Sequence, residues 1–227
     1  MIFPRQVEAV VFDMDGVLFD TETMVRDAML SVSQRLGLNL PMSLILSMIG
    51  LPAAASREIV RAHCRDVIEV EDFYRDVGIA FDRLITGRRF LKTGVVELLD
   101  YLDRHRIPRA IATSSQRSHV ERNLAVHDLS GRFDVVVADG DCHASKPSPE
   151  PFLAAADKLD VSPLHCVAIE DSVNGIRSAT AARMMTIMVP DLIEPSDEIR
   201  ALCLTVARDL DEVRRLLARA MPDVVPR

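Results

Sequence analysis

Short apolar runs that end in polar residues recur along the chain. Val7 to Phe12 ends at Asp13, and Ile107 to Ala112 ends at Thr113. Val135 to Ala138 ends at Asp139, Cys166 to Ile169 at Glu170-Asp171, and Thr186 to Val189 at Pro190-Asp191. Each run has strand length and is rich in Val, Ile or Ala. Helical spacing fills most of the gaps. Val95, Leu98, Leu99 and Leu102 repeat at i, i+3, i+4, i+7, as do Phe152, Ala155, Ala156 and Leu159. Asp171-Ser172 reads as the entry to a helix from Val173 to about Ala182. Strands alternating with helices predict an α/β fold with a doubly wound, Rossmann-like parallel sheet. Ligands of such sheets bind beyond the carboxyl ends of the strands, where the polar residues named above stand.

From about Asp20 to Phe90 the alternation stops, and the pattern is helical throughout. Met24, Ala28, Met29, Val32 and Leu36 form one stripe; Ile59, Val60 and His63 belong to a later helix, and Phe73, Val77, Phe81 and Leu84 to another. Gly37, Asn39-Leu40-Pro41, Gly50 with Pro52, and Gly87 punctuate the segment. So long a stretch exceeds one crossover helix. It predicts a helical domain at 20–90 inserted in a core of 1–19 and 91–227, with hinges near 16–20 and 87–93.

Composition narrows the function. The 227 residues are 48% hydrophobic but only 4% aromatic, without Trp, so the core must be aliphatic. The net charge of −7 and the absence of a Lys/Arg block argue against a nucleic-acid partner. No apolar run reaches the ~18 residues a membrane span needs, so no membrane partner is expected. The four cysteines are widely spaced with no C-x-x-C pair, Cys166 lies in an apolar run, and no basic-then-apolar leader opens the chain. The expectation is a reducing, cytoplasmic setting with Cys166 as a buried thiol.

Four polar constellations carry candidate chemistry. In Asp13-Met14-Asp15-Gly16, two carboxylates lie two residues apart at a buried strand's tip, where they repel unless a cation intervenes. A hard, oxygen-preferring ion such as Mg²⁺ would serve; the same pattern also occurs as a plain loop. Glu170-Asp171-Ser172 brings two more carboxylates to the same sheet edge, which argues for a metal, with helix capping as a second role. Thr113-Ser114-Ser115 offers three hydroxyls before a helix from about Arg117, a phosphate cradle or an ordinary cap. Lys146, in Ser145-Lys146-Pro147-Ser148-Pro149, could counter a nucleophilic carboxylate and a phosphate, or be a surface lysine before a helix.

In this order and at these strand ends, the four resemble the motifs of the haloacid dehalogenase superfamily. VVFDMDGVLFDTE reads as its first motif, ATSS as the second, SKPSPEPF as the third and AIEDSVNGI as the fourth. The branch most similar is that of the β-phosphoglucomutases and sugar-phosphate phosphatases, whose helical cap follows motif one. The resemblance implies that Asp13 attacks phosphorus to form an aspartyl phosphate, and that Asp15 protonates the leaving alcohol and then activates water. It implies Mg²⁺ on Asp13, the Asp15 carbonyl oxygen, Asp171 and Glu170, and phosphate held by Thr113, Ser114, Ser115 and Lys146. The partner it implies is a small phosphorylated metabolite, met by a monomer whose cap closes over the site. An acid two residues after the nucleophile separates phosphate-ester members from those cleaving carbon–halogen or carbon–phosphorus bonds.

The chain departs from the mutase pattern. Those enzymes carry a His on the first cap helix where this chain has Val25, and a Lys-Gly pair with a nearby Arg on the cap where it has Ile49-Gly50-Leu51-Pro52-Ala53, with no basic residue until Arg57. A mutase must grip a phosphate at both ends of its substrate, so the expectation ranks phosphatase above mutase and a non-catalytic acidic-pocket binding module below both. Glu22 and Arg57 are the cap's candidate substrate contacts. Arg183 stands where the family ends a helix with Gly, and Asp139-Gly140-Asp141 is rearranged from the usual G-D.

Overall fold

The computed structural model describes residues 3–48, 51, 53–64 and 67–220. Ile49, Gly50 and Pro52, three positions of the mutase comparison, lie outside the described residues. The chain divides into two compact units, one of Met1–Phe19 with Leu91–Arg227 and the other of Asp20–Phe90.

The first unit starts with β1 (Ala9–Phe12). The helical unit holds α1 (Thr21–Arg35), α2 (Met42–Leu46), α3 (Ala53–Cys64) and α4 (Val70–Ile85). The first unit then resumes with α5 (Val95–His105), β2 (Arg109–Ala112), α6 (Arg117–Val126) and β3 (Val135–Val137). After these come α7 (Glu150–Lys158), β4 (Cys166–Glu170), α8 (Val173–Ala181) and β5 (Met185–Met188). It ends with α9 (Asp197–Leu202), β6 (Thr205–Val206) and α10 (Leu210–Ala220).

All strand pairs are parallel, in the order β3-β2-β1-β4-β5-β6. The five expected strands are present, their ends shifted, trimmed or, for β4, extended by a residue or two. The doubly wound α/β expectation holds. Ala9 and Val11 join Ala110, Ala168, Phe152 and Ala156 in one buried cluster, and α7 packs against β1, β2 and β3. Val10 and Phe12 point the other way by strand alternation and are equally buried, so both faces are covered. Phe12 meets Phe133 edge-to-face at 5.8 Å. The small residues on the first face let α7 and α8 approach closely. All four cysteines are free. Cys166 is buried, and burial pushes its thiol up to about 12.

The helical unit has its own core, in which Ala28, Met29 and Val32 of α1 meet Phe73, Val77 and Phe81 of α4. The stripe read for α1 stops at Val32: Leu36, just past the helix, is 36% exposed. Among the described residues no helix is long and apolar enough to cross a membrane.

Arg183 shows how the chain accommodates a missing glycine. Its φ is +65°. Its N–H donates to the Thr180 carbonyl at 2.9 Å, and that of Met184 to the Ala179 carbonyl at 3.2 Å. This left-handed helix ending is the one glycine ordinarily serves. Arg183→Gly should therefore raise stability by about 1 kcal/mol, read from the urea midpoint; an unchanged or lower midpoint would contradict this. Asp141 closes the other rearranged turn. Its Oδ2 accepts from the Ala138 N–H at 2.9 Å and from Arg117 at 2.5 Å, and Gly140 between them has φ +89°.

Candidate active site

The strand order reverses direction between β1 and β4, the usual ligand crevice of an open parallel sheet. Asp13 follows β1 and is pinned there, its N–H donating to the Ile169 carbonyl at 2.9 Å. Thr113 follows β2 and is tied to β3 through the Val137 carbonyl at 3.0 Å. Glu170 ends β4, with Asp171 next. Asp13, Thr113, Lys146, Glu170 and Asp171 are all buried.

Lys146, on the loop between β3 and α7, joins two of these ends. Its Nζ donates to Asp13 Oδ1, and to Glu170 Oε1 at 2.5 Å. Its ammonium also sits 5.0 Å from the Phe152 ring centroid, a cation–π arrangement. Sequence alone left Lys146 open between a surface residue and a functional one; the side chain is 6% exposed. Burial pushes the Asp13 carboxyl up, to about 8, against the opposing pull of Lys146, with Glu170 and Asp15 adding to the rise. Burial also works to lower Lys146, but Asp13 and Glu170 outweigh it and raise the lysine. At Asp13 burial outweighs the ammonium, whereas at Lys146 two carboxylates outweigh burial, so the lysine stays charged and faces more carboxylate than it can balance.

Glu170 has no solvent exposure. Its Oε2 accepts from the Asp171 N–H at 3.0 Å, the Ser172 N–H at 3.1 Å and Ser172 Oγ at 3.0 Å. Ser172 Oγ in turn accepts from the Gly175 N–H at 3.0 Å, capping α8. Gly175 is required here, since a Cβ at that position would collide with the Glu170 carboxylate. Gly16, with φ +82°, is similarly required, because a Cβ there would collide with Asp171.

Asp15 has a different setting. It is half-buried, and its Oδ2 accepts from Ser115 Oγ at 2.6 Å. The Ser115 N–H donates to Thr113 Oγ1 at 3.0 Å, so one serine positions both the second acid and the threonine hydroxyl. Ser114 is exposed. In the helical unit, Glu22 lies in the first turn of α1. Arg57 is held by Glu71 at 3.2 Å and stacks 4.9 Å from the Tyr74 ring centroid. Val25 is 40% exposed.

Asp13, Glu170 and Asp171 offer carboxylate oxygens within 4.8 Å of one another. Three buried carboxylates with one ammonium on two of them leave an excess of negative charge, and all the donors are hard oxygens. That set fits a divalent cation of the Mg²⁺ class. Asp191 also stands at these strand ends, paired with Lys92 at 2.6 Å. Its place after the fifth apolar run was legible in the sequence, but its lysine partner, distant in the chain, was not.

The family model described as haloacid dehalogenase-like hydrolase matches residues 10–189. Hexitol phosphatase B of Escherichia coli strain K12 is 33% identical over 198 residues, covering 84% of this chain and 86% of that protein. The phosphorylated carbohydrates phosphatase of Thermotoga maritima is 32% identical over 176 residues, covering 78% and 82%. A solved Thermotoga maritima structure, assigned only provisionally as a β-phosphoglucomutase, superposes with a TM-score of 0.79 at 27% identity, covering 94% of this chain and 99% of that one. With its sheet order, strand-end carboxylates and these matches, the chain belongs to the haloacid dehalogenase-like hydrolase family.

Proposed function

We propose that this hydrolase is a Mg²⁺-dependent phosphatase acting on a small phosphate monoester of the sugar or sugar-alcohol class, through an aspartyl phosphate on Asp13. The observation that carries this reading is the contrast between two carboxylates. Asp13 is buried on Lys146, whereas Asp15 is half-exposed and held by Ser115. A carboxyl held against cations, as Asp13 is by Lys146 and would be by a metal, serves as nucleophile, and one held by a neutral hydroxyl outside that cluster can exchange a proton with the leaving group. The names of the two phosphatase relatives support the substrate class.

In the first step an Asp13 oxygen attacks phosphorus; the O–P bond to Asp13 forms and the bond to the ester oxygen breaks. Asp15 gives its proton to the departing alkoxide. In the second step Asp15, now a carboxylate, takes a proton from water, whose oxygen attacks phosphorus. The bond to Asp13 breaks, releasing phosphate and the free carboxylate. Thr113, Ser114 and Lys146 hold the phosphoryl oxygens, and Ser115 aims Asp15. Asp13 and Asp171, with Glu170 beside them and the Asp15 carbonyl oxygen, would hold Mg²⁺. Bound there, the ion supplies positive charge that offsets the repulsion between Asp13 and an anionic phosphoryl group.

Glu22 and Arg57 remain the candidate leaving-group contacts of the helical unit, which we read as the cap. A phosphosugar mutase is the second reading, supported by the solved Thermotoga maritima structure. It ranks lower because Val25 offers no imidazole and Arg57 is already engaged by Glu71 and Tyr74. Membership in a hydrolase family, with Asp13 and Asp15 both in place, sets aside a non-catalytic binding module. We further place the protein in the cytoplasm, consistent with its free thiols, and read it as a monomer.

The test is a panel of hexitol, hexose and pentose phosphates incubated with Mg²⁺. Phosphate should be released from at least one, and release should cease with a chelator. Interconversion of isomers without release would instead support the mutase.

A further inference from the structure

A second, part-buried ion pair leans on the same strand ends. Asp191 follows β5 beyond Pro190, and its side chain is 5% exposed. Its Oδ1 accepts from Lys92 Nζ at 2.6 Å. Lys92 is itself anchored to the loop leaving β1, its backbone N–H donating to the Leu18 carbonyl at 3.0 Å. The other carboxylate oxygen of Asp191 faces Gly16: a Cβ there would lie 3.4 Å from it and would also collide with Asp171. Asp171 and Asp191 therefore crowd one glycine, with oxygens within 4.8 Å of each other.

Carboxylates that close repel unless positive charge is shared between them. Lys92 supplies one charge, from the side of Asp191. The Asp171 side belongs to the carboxylate cluster around Asp13. We infer that Asp191 is a positioning residue of the candidate metal centre: its charge strengthens the hold of Asp171 and Asp13 on a divalent cation, and Lys92 sets how much of that charge the cation feels. This rests on the reading that Asp13 and Asp171 hold such a cation. A purely structural tie would use the same ion pair but would leave cation affinity unchanged.

The two roles separate by the sign of paired substitutions. Asp191→Asn removes a negative charge near the cation and should weaken Mg²⁺ binding about tenfold, the lower end of what outer partners of metal ligands contribute. Lys92→Met removes a positive charge from beside Asp191 and should tighten Mg²⁺ binding several-fold, by about the reverse of the Asp191→Asn effect. The double variant should return close to the parent protein, and Lys92→Arg should match it.

The measurement is calorimetric titration of MgCl₂ into each full-length protein without substrate, with metal-free urea midpoints recorded alongside. Opposite shifts for the two single variants support the inference. Affinities within about twofold of the parent's, well short of the effect outer partners exert, overturn it and leave only a structural tie, whatever the urea midpoints do. Should Asp191→Asn fail to fold, Lys92→Met against Lys92→Arg decides alone: tighter binding in the first supports the inference, equal binding overturns it. A parent protein that binds no Mg²⁺ would instead remove the metal reading itself, and this inference with it.

Discussion

Asp13→Asn should lower phosphate release by about 10⁴-fold or more, the scale of losing a nucleophile, while leaving the fold intact. The amide has nearly the shape of the carboxylate but cannot form an acyl phosphate at neutral pH. Stability should move the other way. Lys146 keeps Glu170 as its partner at 2.5 Å, and the site loses a buried carboxylate that burial already pushes up to about 8. The urea midpoint of the metal-free variant should therefore equal or exceed that of the parent protein. Phosphate release and urea denaturation on the same preparation check both halves. Full activity in Asp13→Asn would contradict the mechanism. Lost activity with a collapsed midpoint would show that Asp13 is needed for folding rather than chemistry.

Lys146→Met should cost about 3–5 kcal/mol, because removing one partner strands buried charge. Methionine keeps much of the volume beside Phe152 but leaves Asp13 and Glu170 without an ammonium. The loss should depend on pH in a definite direction. A buried carboxyl raised above its ordinary value binds its proton more tightly in the folded state than in the unfolded one. Stability then falls as pH rises from the ordinary carboxylate range, about 4, through the folded value. Asp13 already behaves this way in the parent protein, with a folded value of about 8; removing Lys146 extends the window upward. The deficit should be smallest at mildly acidic pH and grow toward alkaline pH, and Mg²⁺ should recover part of it. Urea midpoints across that range are the check. A deficit independent of pH would mean that packing against Phe152, not charge, is what Lys146 provides.

These effects depend on contacts that no local pattern encodes. Lys146 and Asp13 are 133 residues apart in sequence, and Lys92 and Asp191 are 99 apart. What the sequence did encode was period and punctuation. The strands that lead to Asp13, Thr113 and Glu170 are mostly Val, Ile and Ala, with Phe12, Arg109 and Cys166 at their ends, since a parallel sheet buried on both faces leaves little polar alternation. α4 repeated Phe73, Val77 and Phe81 at helical spacing and buries all three. β6, two residues long, and α2, five residues long, were missed because neither is long enough to show a period. The environment of Glu170 was equally hidden. Its sequence neighbours Asp171 and Ser172 supply three of its donors, but the fourth is Lys146 and the space it fills is left by Gly175. Arg183 was identifiable as a departure, and the structure added its answer, a left-handed backbone at φ +65°.

The claim that Asp13 carries the phosphoryl group is tested most directly by catching it there. The protein would be mixed with a substrate found in the phosphate panel, quenched in acid within a turnover, digested, and its peptides weighed. The peptide containing Asp13 should carry the mass of one phosphoryl group and lose it on treatment with hydroxylamine, as an acyl phosphate does. A phosphoryl group on any other residue would contradict the account, as would steady phosphate release from Asp13→Asn.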